Sequence, residues 1–202
     1  MNCPDIFVLR HGETTWNRAG RMQGALDSPL TELGQAQSEQ MGSLLAGYDL
    51  TGHQLYCSPM GRAIATAALV LPRDPTLDPR LREIEVGQWT GLTRPEILAR
   101  WPGPTDDEDL LDFYARAPGG EGFDALWDRV TGFLTDLTGP AVIVTHGITS
   151  RFLRTAALGG TLGDLNEVPG GQGVVFRIRE GLHETLTPTG LQAGHTAVTG
   201  GS

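Results

Sequence analysis

Two stretches of the chain run an apolar segment into a histidine and a glycine. The first is Ile6-Phe7-Val8-Leu9-Arg10-His11-Gly12, followed by Glu13 and Thr14. The second is Val142-Ile143-Val144-Thr145-His146-Gly147. A strand end followed by a tight turn is where open α/β sheets hold their ligands. Glycine lets the backbone turn sharply and approach a ligand closely. Arginine offers a planar fork of donors suited to phosphate oxygens, and imidazole attacks or shuttles protons near neutral pH. Arg10 and His11 side by side therefore point to chemistry on a phosphoryl group. If the two strands are parallel neighbours, His11 and His146 emerge at one sheet edge.

Two more segments could complete such a site. In Ser58-Pro59-Met60-Gly61-Arg62, serine reads as an N-cap and proline as the first helical residue. Arg62 then lies within about one turn of the helix N-terminus, where the helix dipole favours an anion. Between residues 81 and 91, Glu83 and Glu85 have the i, i+2 spacing that places side chains on one face of a strand. Either could supply a carboxylic acid near the phosphate.

The elements that must position these residues alternate between strand and helix. Strands are expected at 6–10, 54–57, 141–145 and 174–178. Helices are expected at 31–46 with Thr31 as N-cap, from 58 to about 71, and from 93 to about 101. The last opens with the capping-box spacing of Thr93 and Glu96. Phe123, Leu126, Trp127, Val130, Phe133, Leu134 and Leu137 form a helical apolar stripe. A further helix follows at 149–158. The pattern predicts an α/β fold of one domain over 1–202, a mostly parallel sheet with helices on both faces. Residues 102–118 are polar and acidic, with Asp106, Asp107, Glu108, Asp109 and Asp112. They read as a solvated insertion or as a lid over the strand edge. Residues 190–202, rich in Gly and Thr, read as a loose tail.

Composition narrows the partners. The net charge is −9, and all 15 basic side chains are arginine. An acidic surface disfavours nucleic acid and anionic membranes, so a phosphorylated small molecule needs a local arginine cluster. Without lysine, a Schiff base or a P-loop is excluded. No apolar stretch approaches a membrane span, and the first residues lack a signal-peptide pattern, so a cytoplasmic protein is expected. Cys3 and Cys57 make neither a disulfide framework nor a zinc pattern. They are expected as two free thiols in or near the core. His11, Glu13 and His146 do not have metal-ligand spacing, and no metal site is expected. Oligomeric state is not legible.

With Asn17 and the 21–24 segment, these motifs form the ordered blocks LRHGETTWN, GRMQGALDSPLTELG, CSPMGRAIATA, LREIEVGQWTGL, PGGEG and VTHG between residues 9 and 147. Together they resemble the histidine phosphatase superfamily, with its phosphoglycerate mutase-like three-layer α/β/α fold. The resemblance implies that His11 is the nucleophile that becomes phosphohistidine, and that Arg10 and Arg62 grip the phosphoryl group. It implies that His146 hydrogen-bonds that group and that Glu83, not Glu85, is the general acid. It places Asn17 and Gln23 in contact with the phosphate and calls for no cofactor. Where relatives often have a small hydroxyl residue after the PGGE glutamate, this chain has Gly122.

Within that resemblance, the expected activity is a phosphatase acting on a small phosphomonoester. Cofactor-dependent mutases are usually longer and carry a lysine among their substrate contacts. The RMQG text at 21–24 is also more like the phosphatase branch. The alternatives are a cofactor-dependent phosphoglycerate mutase and a catalytically silent phosphate-binding protein. Sugar phosphates, phosphoglycerate, α-ribazole phosphate and phosphoproteins remain open as substrates. Arg21, Arg100 and Arg116 are candidates for a second anionic group. Trp16, Trp89 and Trp101 can be read as pocket lining or as core.

Overall fold

The computed structural model describes residues 3–103 and 109–196. Seven strands form one sheet: β1 (Ile6–Arg10), β2 (Gln54–Cys57), β3 (Thr76–Leu77), β4 (Ala141–Thr145), β5 (Val175–Arg179), β6 (Leu182–Thr187) and β7 (Gly190–Thr196). Their order is β3-β2-β4-β1-β5-β6-β7. The pairs β3–β2, β2–β4 and β4–β1 are parallel. The pairs β1–β5, β5–β6 and β6–β7 are antiparallel. Five strands thus run one way and β5 and β7 the other.

Helices cover both faces. α1 (Thr15–Arg18) is a short turn after β1, α2 (Glu32–Leu45) follows it, and α3 (Gly61–Val70) follows β2. Next come α4 (Arg94–Arg100), α5 (Leu110–Ala115), α6 (Phe123–Thr135) and, after β4, α7 (Gly147–Ala157). Strand alternation divides the core. Ile6, Val8 and Ile143 pack with α6 and α7 residues such as Val130, Phe133 and Phe152. Phe7, Leu9, Val142 and Val144 pack with Met41 and Leu45 of α2 and Ala63 and Ala67 of α3. The result is the three-layer α/β/α arrangement.

The structure departs from the sequence reading at several elements. First, α3 begins at Gly61, and its N-cap Met60 makes no side-chain cap bond. Asp27, from a distant loop, accepts the Gly61 and Arg62 N–H groups at 2.8 and 3.2 Å, which frees Ser58 from that duty. Second, residues 109–118 are not simply an insertion. Asp109 caps α5 through its carboxylate, and Leu111 and Phe113 are buried in the larger core cluster. Asp106, Asp107 and Glu108 lie outside the described residues. Third, residues 190–196, expected in a loose tail, pair with β6 as β7. The open edge of β6 satisfies that backbone, whatever its Gly and Thr content. A two-residue turn at Glu180 and Gly181, both at positive φ, makes the preceding β5–β6 hairpin. Finally, α7 begins at Gly147, two residues earlier than the sequence reading placed it.

Candidate active site

Three neighbouring strands deliver the site. In the β1–β4 register Arg10 faces Thr145, and in the β2–β4 register Cys57 faces Val144. The next residues, His11, His146 and Ser58, leave the sheet at the same edge. His11 N donates to Thr145 O at 3.0 Å and Ser58 N to Val144 O at 2.9 Å. The rings of His11 and His146 meet edge to face, with centroids 5.1 Å apart at 62°.

Hydrogen bonds assign each ring a tautomer. His11 Nδ1 lies 2.7 Å from Gly12 O, so it carries the proton. His11 Nε2 accepts from Arg62 Nε at 3.2 Å and therefore holds the lone pair. His146 Nε2 lies 2.7 Å from Ser58 Oγ. Ser58 Oγ accepts the Met60 N–H, and among the described residues its own proton meets no acceptor other than His146 Nε2, so it is donated there. His146 Nδ1 is then an N–H donor, buried with no partner among the described residues. Both rings sit well below the usual imidazole pKa. For His11 burial is the main cause, followed by Arg10 and Arg62. For His146 burial again leads, followed by His11, Arg62 and Arg10. The arginines favour neutral rings, but desolvation does more.

The two arginines are held differently. Arg62 is 2% exposed and donates to Leu26 O, Asp27 Oδ1 and Gly24 O at 2.7, 2.7 and 3.1 Å. Arg10 Nε is buried without a hydrogen-bond partner among the described residues. Burial lowers the Arg10 pKa, and Glu83 opposes that shift. Gly147 matters here, since a Cβ at that position would lie 3.2 Å from Arg10 Cζ. The Arg10 guanidinium thus lies against the N-terminus of α7. Arg10 Nε and His146 Nδ1 are thus two buried N–H donors left for a ligand acceptor.

Glu83 enters from the other side. Its carboxylate accepts Thr149 N at 3.0 Å, Ile148 N at 3.2 Å and Thr149 Oγ1 at 3.0 Å. It is fixed across the first turn of α7. Residues 82–86 form no strand, so the shared face expected for Glu83 and Glu85 does not exist. Glu85 is exposed, and its backbone is tied to Glu121 of the PGGEG block.

A cavity of about 190 Å³ is lined by Arg10, His11, Asn17, Gln23, Arg62 and Glu83, with Tyr114 beside them. All the sequence-derived site residues but His146 thus line one cavity, and His146 meets its His11 edge to face. Asn17 Oδ1 accepts from Thr14 N and Gln172 Nε2, and Gln23 Oε1 accepts from Ser28 Oγ. Each amide therefore keeps its NH2 for an anion. Sequence reasoning missed Ser58 as the partner of His146, Asp27 as the anchor of Arg62, and Gln172 and Tyr114 altogether. Asp27 and Ser58 stand within the motif blocks and Gln172 in Gly-rich text, but nothing local assigns them these partners. Arg21 lines the cavity and bonds to Gly91 O, whereas Arg100 is exposed. Arg116 stacks on Trp89 and Phe113 instead. Trp89 is core, with Trp101 packed against it.

The chain matches the Histidine phosphatase superfamily (branch 1) over residues 6–184. It is 34% identical over 167 residues to a probable phosphoglycerate mutase GpmB of Salmonella choleraesuis, covering 76% of this chain and 74% of that protein. Among solved structures, it resembles a mycobacterial glucosyl-3-phosphoglycerate phosphatase in complex with VO3. That likeness has a TM-score of 0.76 and 26% identity over 97% of this chain and 100% of the other. It also resembles Bacillus stearothermophilus YhfR, with a TM-score of 0.72 and 31% identity over 98% and 97% of the two chains. With paired histidines at one sheet edge and two arginines beside them, the chain belongs to the histidine phosphatase superfamily.

Proposed function

We propose that this protein is a metal-independent phosphomonoesterase that hydrolyses a small phosphorylated metabolite through a phosphohistidine on His11. The observation that carries the reading is the His11 ring itself. Its Nδ1 proton is tied to Gly12 O, and its Nε2 lone pair faces Arg62.

In this reading the phosphate enters among Arg10, Arg62, the His146 Nδ1–H and the amides of Asn17 and Gln23. The donors offset the phosphate charge that would otherwise repel the nucleophile. His11 Nε2 attacks phosphorus in line with the ester oxygen. A new N–P bond forms as the P–O bond breaks, and Glu83 gives its proton to the departing alkoxide. Glu83 then takes a proton from water, which attacks the phosphohistidine and releases inorganic phosphate and neutral-tautomer His11.

A mutase would return the phosphoryl group to another hydroxyl of the same substrate. The 34% identity to a probable phosphoglycerate mutase favours that second reading. The absence of lysine from the sequence favours hydrolysis. Incubation with a labelled phosphomonoester is expected to trap acid-labile, alkali-stable phosphate on His11. Phosphate release from 3-phosphoglycerate, without isomerisation when 2,3-bisphosphoglycerate is added, supports the phosphatase. Interconversion of 2- and 3-phosphoglycerate reverses the ranking. Turnover that a chelator abolishes, with no trapped phosphoenzyme, overturns the mechanism.

A further inference from the structure

A second cavity, of about 220 Å³, shares Arg10, Glu83 and Tyr114 with the one that holds His11. Its remaining wall includes Arg151 and Arg154 of α7 and the Gly170–Gly171 backbone. His11 and Arg62 take no part in it. In-line attack by His11 puts the leaving oxygen on the Glu83 side, so the alcohol part of a substrate must extend past Glu83. This cavity begins there.

Arg154 is unusual for a structural residue. It is 1% exposed, yet every acceptor it meets is neutral. Nε donates to Ser150 O and Oγ, Nη1 meets His183 Nε2 at 2.9 Å, and Nη2 donates to Pro169 O at 2.8 Å. Its guanidinium lies 3.7 Å from the Phe176 ring centroid. Among the described residues no carboxylate is within ion-pair distance of it. A buried charge without a counter-charge is costly. Its bonds leave one N–H on each terminal nitrogen, the number that the two oxygens of one carboxylate can accept. Burial lowers its pKa to about 9, which still leaves it charged at neutral pH. Arg151 adds a second positive charge to the same wall, held by Leu165 O at 3.0 Å.

We propose that this cavity seats the alcohol part of the substrate, and that Arg154 and Arg151 select phosphomonoesters whose alcohol part carries a carboxylate. The proposal rests on the phosphohydrolase reading for its direction, but the cavity can be tested by itself.

The test compares matched phosphoesters that differ in the carboxylate. The pairs are 3-phosphoglycerate with glycerol 3-phosphate, phosphoserine with phosphoethanolamine, and phosphoglycolate with ethyl phosphate. At least one carboxylate-bearing member is expected to exceed its partner in kcat/KM by about tenfold or more. In Arg151→Gln and Arg154→Gln that preference is expected to shrink by about tenfold. If Arg154 only ties residues 169–171 to α7, both members of a pair fall together, and the proposal is overturned. It is likewise overturned if no pair shows a preference in the unaltered protein. Should Arg154→Gln fail to fold by thermal melting, Arg151→Gln and Arg154→Lys decide the matter. p-Nitrophenyl phosphate reports separately on chemistry. If it and all the pairs are inert, the phosphohydrolase reading fails. Calorimetric binding of the same pairs then tests the cavity, and equal affinities within every pair overturn it.

Discussion

Arg62 Nε stands 3.2 Å from His11 Nε2, so the cation addresses the one ring nitrogen that holds a lone pair. The contact keeps His11 in the tautomer that can attack, and it places a guanidinium where phosphate oxygens would arrive. Asp27 and two carbonyls brace the other end of Arg62.

That brace is a target. Asp27→Ala removes the ion pair to Arg62 and both acceptors of the α3 N-terminus. Asp27 is itself 39% exposed on its side chain, so the stability loss is expected to be modest, about 1–2 kcal/mol. The loss in kcat/KM is expected to be larger in proportion, about tenfold to a hundredfold, because Arg62 loses its orientation. Urea titration and steady-state kinetics on one preparation check both. Unchanged kinetics would mean the carbonyls hold Arg62 alone.

Ser58→Ala leaves His146 Nε2 buried without its partner. A cost of about 1–3 kcal/mol in stability is expected, with about a tenfold loss of turnover as the ring loses its tautomer preference. Ser58→Thr, which keeps the hydroxyl, should recover part of the activity. Equal activity of the alanine and threonine variants would remove Ser58 from the site.

Gly12 and Gly34 cross with almost no space between them. A Cβ on Gly12 would stand 2.1 Å from Gly34 O, and one on Gly34 would stand 2.0 Å from Glu13 O. Both contacts are to backbone, so neither can be relieved by a rotamer change. Gly12→Ala is expected to cost at least about 4 kcal/mol or to prevent folding. A soluble Gly12→Ala protein with an unchanged melting temperature would contradict the packing.

The buried rings set a pH dependence of stability. His11 and His146 both titrate well below the usual imidazole value in the folded state, while unfolded rings take up protons near pH ~6.5. The unfolded state therefore binds more protons as pH falls. The full contribution is present above pH ~6.5 and is lost below it, at up to about 1.4 kcal/mol per pH unit per ring. Melting curves between about pH 7.5 and 5.5 should show this fall, and His146→Asn should reduce the slope. A flat profile would mean that these rings titrate alike in the folded and unfolded states. If His11 is the nucleophile, as proposed, kcat/KM should for the same reason not fall in mildly acidic solution with a free imidazole pKa.

The sequence by itself determined the family, the strands that end at His11 and His146, and the helices opened by Thr31 and Thr93. These features follow short-range rules: alternation along a strand, 3.6-residue periodicity, and caps three residues apart. The same rules missed the start of α3, because its cap, Asp27, lies more than thirty residues away in the chain. They also gave no sign that residues 190–196 pair as a strand, since that pairing depends on an edge offered by β6. Only the tertiary structure decided which nitrogen of each histidine holds the proton. It also decided that Glu83 faces the cavity while Glu85 does not, and that Arg154 rather than Arg116 stands beside the site. Each of these depends on burial and on hydrogen bonds between segments distant in the chain, which local spacing does not encode.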